Sequence, residues 1–128
     1  MLIERIKADF EHKDERGTLV QLVHGDYPQV NVITSKSGVM RGGHYHKQNT
    51  EAFYVAAGSC KVTACWNFEK ECVVFTAGDF FRIGPHVVHD FEYLEDSVLV
   101  AMYSLGVELE NGTKDIFVPG INEQGIGQ

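Results

Sequence analysis

Residues 38–58 read GVMRGGHYHKQNTEAFYVAAG, and this stretch decides the reading of the chain. His44 and His46 are two positions apart, so on a β-strand both imidazoles project from one face while Tyr45 projects from the other. Glu51 opens the next apolar run, where Glu51, Phe53, Val55 and Ala57 share one face and Ala52, Tyr54 and Ala56 the opposite one. His89 begins a later run in which His89, Phe91 and Tyr93 alternate in the same way. Three imidazoles and a carboxylate form a donor set suited to Zn, Fe, Mn or Ni. The expectation is a small β-barrel with a divalent metal ion in its mouth, held by His44, His46, Glu51 and His89.

Outward from that stretch the chain keeps a β rhythm. Residues 1–12 fit neither a strand nor a helix period well, Asp14 to Gly17 reads as a turn, and Thr18 to His24 is β-rich. Val30 to Thr34 alternates. Ser59 to Trp66, Glu71 to Thr76, Phe80 to Ile83, His89 to Tyr93 and Val98 to Ser104 follow, separated by turn residues that include Asn67 to Lys70 and Gly84-Pro85. Short strands at such regular spacing signal an all-β sandwich or barrel. No amphipathic helix, internal repeat or domain boundary is visible. One domain over 1–119 is expected, with a glycine-rich tail over 120–128 that frays.

The composition of the 128 residues, 44% hydrophobic and 23% charged, is that of a globular domain able to bury its own core. No apolar run is long enough for a membrane-spanning helix, and charges interrupt the apolar residues of MLIERIKADF, so no signal peptide is read there. A cytoplasmic location is expected. Cys60, Cys65 and Cys72 form no CxxC pair and read as small fillers of strands. The net charge of -7 argues against non-specific nucleic-acid binding. His12 and His24 read as structural.

The pattern resembles the cupin superfamily. Gly38, five residues, His44-x-His46, four residues, Glu51, six residues and Gly58 match the first cupin motif in every spacing. Gly78 and His89 keep the eleven-position separation of the second motif, but Gly84-Pro85-His86 stands where the family has Pro-x-Gly, and Tyr93 where it often has Asn. The resemblance implies an all-β, double-stranded β-helix (a jelly-roll barrel) of two packed antiparallel sheets. A narrower resemblance rests on Asp14-Glu15-Arg16-Gly17, Gln29 to Val32 and Arg41-Gly42-Gly43-His44-Tyr45-His46-Lys47. These look like the cupin domain of nucleotide-sugar epimerases in capsule-sugar epimerase-reductases, and like dTDP-sugar 3,4-ketoisomerases. Two departures are the missing reductase domain and Asn49, where the epimerase domain tends to carry lysine.

That resemblance implies an epimerase or isomerase of a nucleotide-linked 4-keto-6-deoxy sugar in polysaccharide biosynthesis. Such chemistry needs a base for the α-proton and a donor for the enolate. His86, whose imidazole titrates near neutral pH, is the first acid/base candidate, and Tyr103 is a proton donor if it faces inward. Arg41 and Lys47 are the cations expected to bind a diphosphate. The same donor set would serve a cupin dioxygenase of a small molecule, and a non-catalytic sugar- or metabolite-binding domain is the third reading. A homodimer is expected, with outward Tyr45 and Tyr54 in a sheet-to-sheet interface.

Overall fold

The computed structural model describes residues 1–120; the expected fraying of residues 121–128 lies outside them. Eleven strands account for the regular structure: β1 (Ile3–Arg5), β2 (Phe10–Asp14), β3 (Gly17–Gln21), β4 (Gln29–Ser35), β5 (Met40–His44), β6 (Glu51–Ala57), β7 (Ser59–Trp66), β8 (Glu69–Thr76), β9 (Phe80–Ile83), β10 (Val88–Tyr93) and β11 (Ser97–Tyr103). A five-stranded sheet in the order β1-β9-β6-β11-β4 packs against a four-stranded sheet in the order β5-β10-β7-β8. The paired strands are antiparallel, and the fold is the expected all-β jelly roll. Among the described residues no helix is long and apolar enough to cross a membrane.

Alternation explains which residues fill the space between the sheets. On β10 every second side chain is buried, His89, Phe91 and Tyr93 among them, and on β6 Glu51, Phe53 and Val55 face inward as the pattern requires. Ala57, the last of that inward set, is exposed where β6 leaves the barrel. Phe75 and Phe81 stack with ring centroids 3.8 Å apart, and Phe53 lies 5.2 Å from Phe81 and 4.9 Å from Phe91. These rings floor the barrel. Fully burying one such side chain contributes about 1.5–3 kcal/mol.

The outer face of the five-stranded sheet carries a second, smaller cluster, which the period-two reading missed. Ala52, Phe80 and Met102 are buried there beneath Ile6, Leu22, Val23 and Tyr27. Between Ile6 and Leu22 the chain makes the β2–β3 hairpin, a separate two-stranded sheet whose strands pair only with each other. The turn expected over Asn67 to Lys70 is tighter than the sequence suggested. Asn67 and Phe68 alone form it, with φ of 50° and 66°, and Glu69 and Lys70 already belong to β8. Positive φ at both central positions is the mark of a type I′ two-residue hairpin. Phe68 is an unusual residue to supply one, and its ring is fully solvent-exposed.

Two expectations about outward residues need correction. Tyr45 does point away from the histidines, but it is not a surface residue. Its ring packs 5.6 Å from Phe117 and its backbone bridges to the same residue, which leaves it buried. Tyr54 is half-buried in the outer cluster, against Phe80. Neither is free to build the sheet-to-sheet interface assigned to them. The three cysteines are free; Cys60 fills the core, whereas Cys72 is exposed and fills nothing.

Candidate functional site

Pairing of the strands brings the four candidate ligands together. β5 ends at His44, and its partner across the sheet is His89 of β10. The two rings lie 4.8 Å apart between centroids. This approach requires Gly42: its φ is +108°, and a Cβ there would stand 2.6 Å from the His89 carbonyl oxygen. Beyond His44 the chain leaves the strand, yet the His46 ring remains 5.2 Å from His44 and 5.6 Å from His89. Glu51 opens β6, in register with Tyr103 on β11.

Donor atoms of His44, His46, Glu51 and His89 all lie within 4.8 Å of one another, and all four residues are buried. Zn–N bonds are about 2.0–2.1 Å, so opposite donors of a six-coordinate ion stand about 4.2 Å apart. A modest contraction of this cluster would close it on one cation. The hydrogen bonds around the rings prepare them for that. A carbonyl oxygen can only accept, so Nδ1–H of His46 donates to the Asp115 carbonyl at 2.6 Å, and Nδ1–H of His89 to that of Val87 at 3.1 Å. Each bond turns Nε2 toward the cluster, the arrangement commonly found behind metal-bound histidines.

Nε2 of His89 is buried without a hydrogen-bond partner, 3.4 Å from Glu51 Oε1. Nε2 of His46 lies 3.0 Å from the same oxygen. With Nδ1 already donating, that short contact needs a positive charge between nitrogen and carboxylate, carried by a proton or a cation.

The electrostatics agree with the geometry. Burial, reinforced by His89 and His46, depresses the His44 imidazole to about 4, so it is neutral at physiological pH. Burial works against charge on His46, but its hydrogen bond to Glu51 and the carboxylate's field raise it above the ordinary value. Burial would raise Glu51; the hydrogen bond of His46 and the nearness of the His89 and His46 rings outweigh it and hold the carboxyl down at about 2. Burial, then the charge and hydrogen bond of Glu51, push the Tyr103 phenol far above its usual range, so it keeps its proton.

A cavity of about 530 Å³ opens over this cluster, with Arg41, His44, Glu51, His89, Tyr93 and Tyr103 in its wall. Tyr103 faces inward, its ring 5.5 Å from that of His46. Arg41 is braced from behind, donating from Nε to Ser35 Oγ at 2.9 Å and from Nη2 to the Thr34 carbonyl at 3.2 Å.

The other two candidates stand elsewhere. His86 is exposed, with its ring stacked on Trp66 at 5.3 Å, and it is not in the cavity wall. Its backbone explains this: His86 occupies the glycine position of the cupin turn and adopts the glycine's φ, +73°. Lys47 lies past the end of β5, where strand alternation no longer applies. Its Nζ sits 4.4 Å over the Phe117 ring, in a separate recess shared with Thr113 and Lys114.

Two polar residues that the sequence did not reveal support the site. Asn49 is fully buried; its Oδ1 accepts from the N–H groups of Leu105 and Gly106, and its Nδ2 donates to the Gly106 carbonyl and to Asp115 Oδ2. The Asp115 carboxylate accepts the N–H groups of Lys47, Gln48 and Asn49. Burial would raise that carboxyl, but the Asn49 amide and the three N–H groups hold it below the usual carboxylate range. Asn49 stood out only as a departure from the lysine of the resembled epimerase domain, with no structural role read for it, and the sequence around Asp115 carries no signal.

Comparison with known proteins places the chain. It is 28% identical over 124 residues to UDP-2-acetamido-2,6-beta-L-arabino-hexul-4-ose reductase of Pseudomonas aeruginosa, an alignment covering 88% of this chain but only 32% of that protein. The chain thus spans about a third of that relative's length. Among solved structures it is similar to a variant of the 3,4-ketoisomerase QdtA from Thermoanaerobacterium thermosaccharolyticum in complex with TDP-4-keto-6-deoxyglucose. There the TM-score is 0.77 and the identity 22%, over 91% of this chain and 86% of that one. A double variant of the same enzyme, in complex with TDP, is 26% identical with a TM-score of 0.72, over 80% of each chain. The RmlC epimerase of Mycobacterium tuberculosis has the same fold, at a TM-score of 0.72 and 18% identity, over 91% of this chain and 68% of that one. The family profile described as "Polysaccharide biosynthesis C-terminal domain" matches residues 12–106, and the chain belongs to that family.

Proposed function

We propose that the domain epimerises or isomerises a nucleotide-linked 4-keto-6-deoxy sugar, with the reacting carbons held in the cavity above His44, Glu51, His89 and Tyr103. The observation that carries this reading is one concave wall presenting a neutral imidazole, a protonated phenol and a guanidinium together. The names of the similar proteins, which refer to TDP- and UDP-linked keto sugars, support the substrate class. Arg41 would take a phosphate oxygen, its donors being matched to that group. Tyr103 would hold its proton at Oη until an enolate oxygen needs it.

His44, His46, Glu51 and His89 would hold a divalent ion, which when bound would supply Lewis-acid polarisation of a ketone or enolate oxygen. The unpartnered Nε2 of His89 and the 3.0 Å contact between His46 and Glu51 favour that reading. The place of His44 in the cavity wall, with its imidazole neutral, favours a second one. Without an ion that neutral imidazole would be the proton acceptor in the cavity wall, and proton removal falls to it rather than to His86.

Solvent deuterium appearing at C3 of a UDP- or dTDP-4-keto-6-deoxy sugar is the test. Exchange that stops on chelation and returns with metal supports the first reading, whereas exchange that survives chelation but is lost in His44→Asn supports the second. Tight binding of the sugar nucleotide with no exchange at full metal occupancy overturns both and leaves a binding domain.

A further inference from the structure

We propose that Asp115 is a positioning residue for the metal centre, acting through a strap that fixes His46 and Glu51 relative to one another. The inference rests on the reading that His44, His46, Glu51 and His89 hold an ion, and it concerns residues outside that set.

The stretch from Tyr45 to Thr50 lies outside the named strands, although it joins two of the four ligands. Left as an open loop, it would let the His46 donor shift relative to Glu51, which β6 holds in register with Tyr103. Asp115 prevents this from both ends of one residue. Its carbonyl holds the His46 ring by Nδ1, and its carboxylate takes the next three N–H groups at 2.8–2.9 Å. Asn49 then fastens the loop to Leu105 and Gly106, just past Tyr103.

The charge of Asp115 is therefore spent on backbone, and its carboxylate is not one of the four ligands. Because that carboxylate and that carbonyl belong to one residue, a shift of the strap carries the His46 anchor with it. The expected effect of loosening an outer partner of a metal-bound histidine is a 10–100-fold loss of metal affinity.

The experiment uses the full chain. Zinc affinity is measured by chelator competition for the wild type and for Asp115→Asn, which keeps the shape of the side chain and removes its charge. ¹⁵N NMR of the His46 ring and hydrogen exchange of the Lys47, Gln48 and Asn49 amides are recorded on the metal-free wild type. The strap predicts a protonated Nδ1 on His46, loop amides protected like those of strands, and a 10–100-fold weaker zinc site in Asp115→Asn with its fold intact by circular dichroism.

A bare Nδ1, or loop amides that exchange at open-chain rates, overturns the proposal without any variant. So does a folded Asp115→Asn protein with wild-type zinc affinity. Should Asp115→Asn not fold, the two wild-type measurements decide. A wild type that takes up no zinc, cobalt or nickel sinks the metal reading, and the NMR and exchange results still judge the strap on their own.

Discussion

A histidine held at φ of +73° is a costly choice, since β-carbon crowding in that region costs about 1–2 kcal/mol. His86→Gly relieves that crowding and loses the stack on Trp66, worth about 0.5–1.5 kcal/mol. The two effects nearly cancel, and chemical denaturation should show a stability within about 1 kcal/mol of wild type. Deuterium exchange into the keto sugar should persist in this variant; its loss would return the acid/base role to His86. Tyr103→Phe should do the reverse. Removing one hydroxyl should lower kcat by about 10²–10⁴-fold with little change in KM, read from steady-state rates.

Tyr103 also marks where the sequence stopped being informative. Its direction could not be read because Val98 to Met102 is apolar on both faces. The structure gives the cause: the outer face of β11 is buried too, with Met102 in the cluster beneath Ile6 and Leu22.

At the level of the element, the meeting of Glu51 and His89 was legible because β10 alternates cleanly and the inward face of β6 keeps the same period from Glu51 to Val55. Lys47 lies apart from the cavity because alternation ends at His44, and the chain beyond it follows hydrogen bonds to a segment nearly seventy residues away. No local pattern records such bonds. Two predictions belong here. Gly42→Ala would drive a methyl group into the His89 carbonyl, so β5 and β10 must part. A loss of about 2 kcal/mol or more is expected in denaturant titration, together with a weaker metal site.

The second concerns pH. The Asp115 carboxyl is depressed in the folded chain, so the unfolded chain binds the proton more readily between the folded value and 3.8. Its contribution is present above pH 3.8 and is lost as pH falls through the folded value. Asp115→Asn should therefore flatten the acid limb of a stability profile and leave the neutral region's slope unchanged.

For the whole molecule, spacing and turn residues were enough to announce an all-β sandwich or barrel, because such folds are built from many short strands with breaks between them; the two packed sheets came from the cupin resemblance. The outer cluster and the free-standing hairpin were not legible, since Ile6, Leu22 and Tyr27 lie in irregular segments with no period to read. Cohesion between the sheets runs through the stacked phenylalanines. Phe81→Ala should cost about 3–5 kcal/mol in urea unfolding, because Phe53, Phe75 and Phe91 surround the space it would vacate.

The match to the family profile ends at residue 106, whereas the carbonyl that steadies His46 and the ring that shields Tyr45 come from residues 115 and 117. Anyone ending this domain where the common profile ends would keep the eleven strands and discard their fastening. A polypeptide ending at 106 should retain a β-type spectrum yet grip zinc poorly, and one extended through 119 should regain that grip.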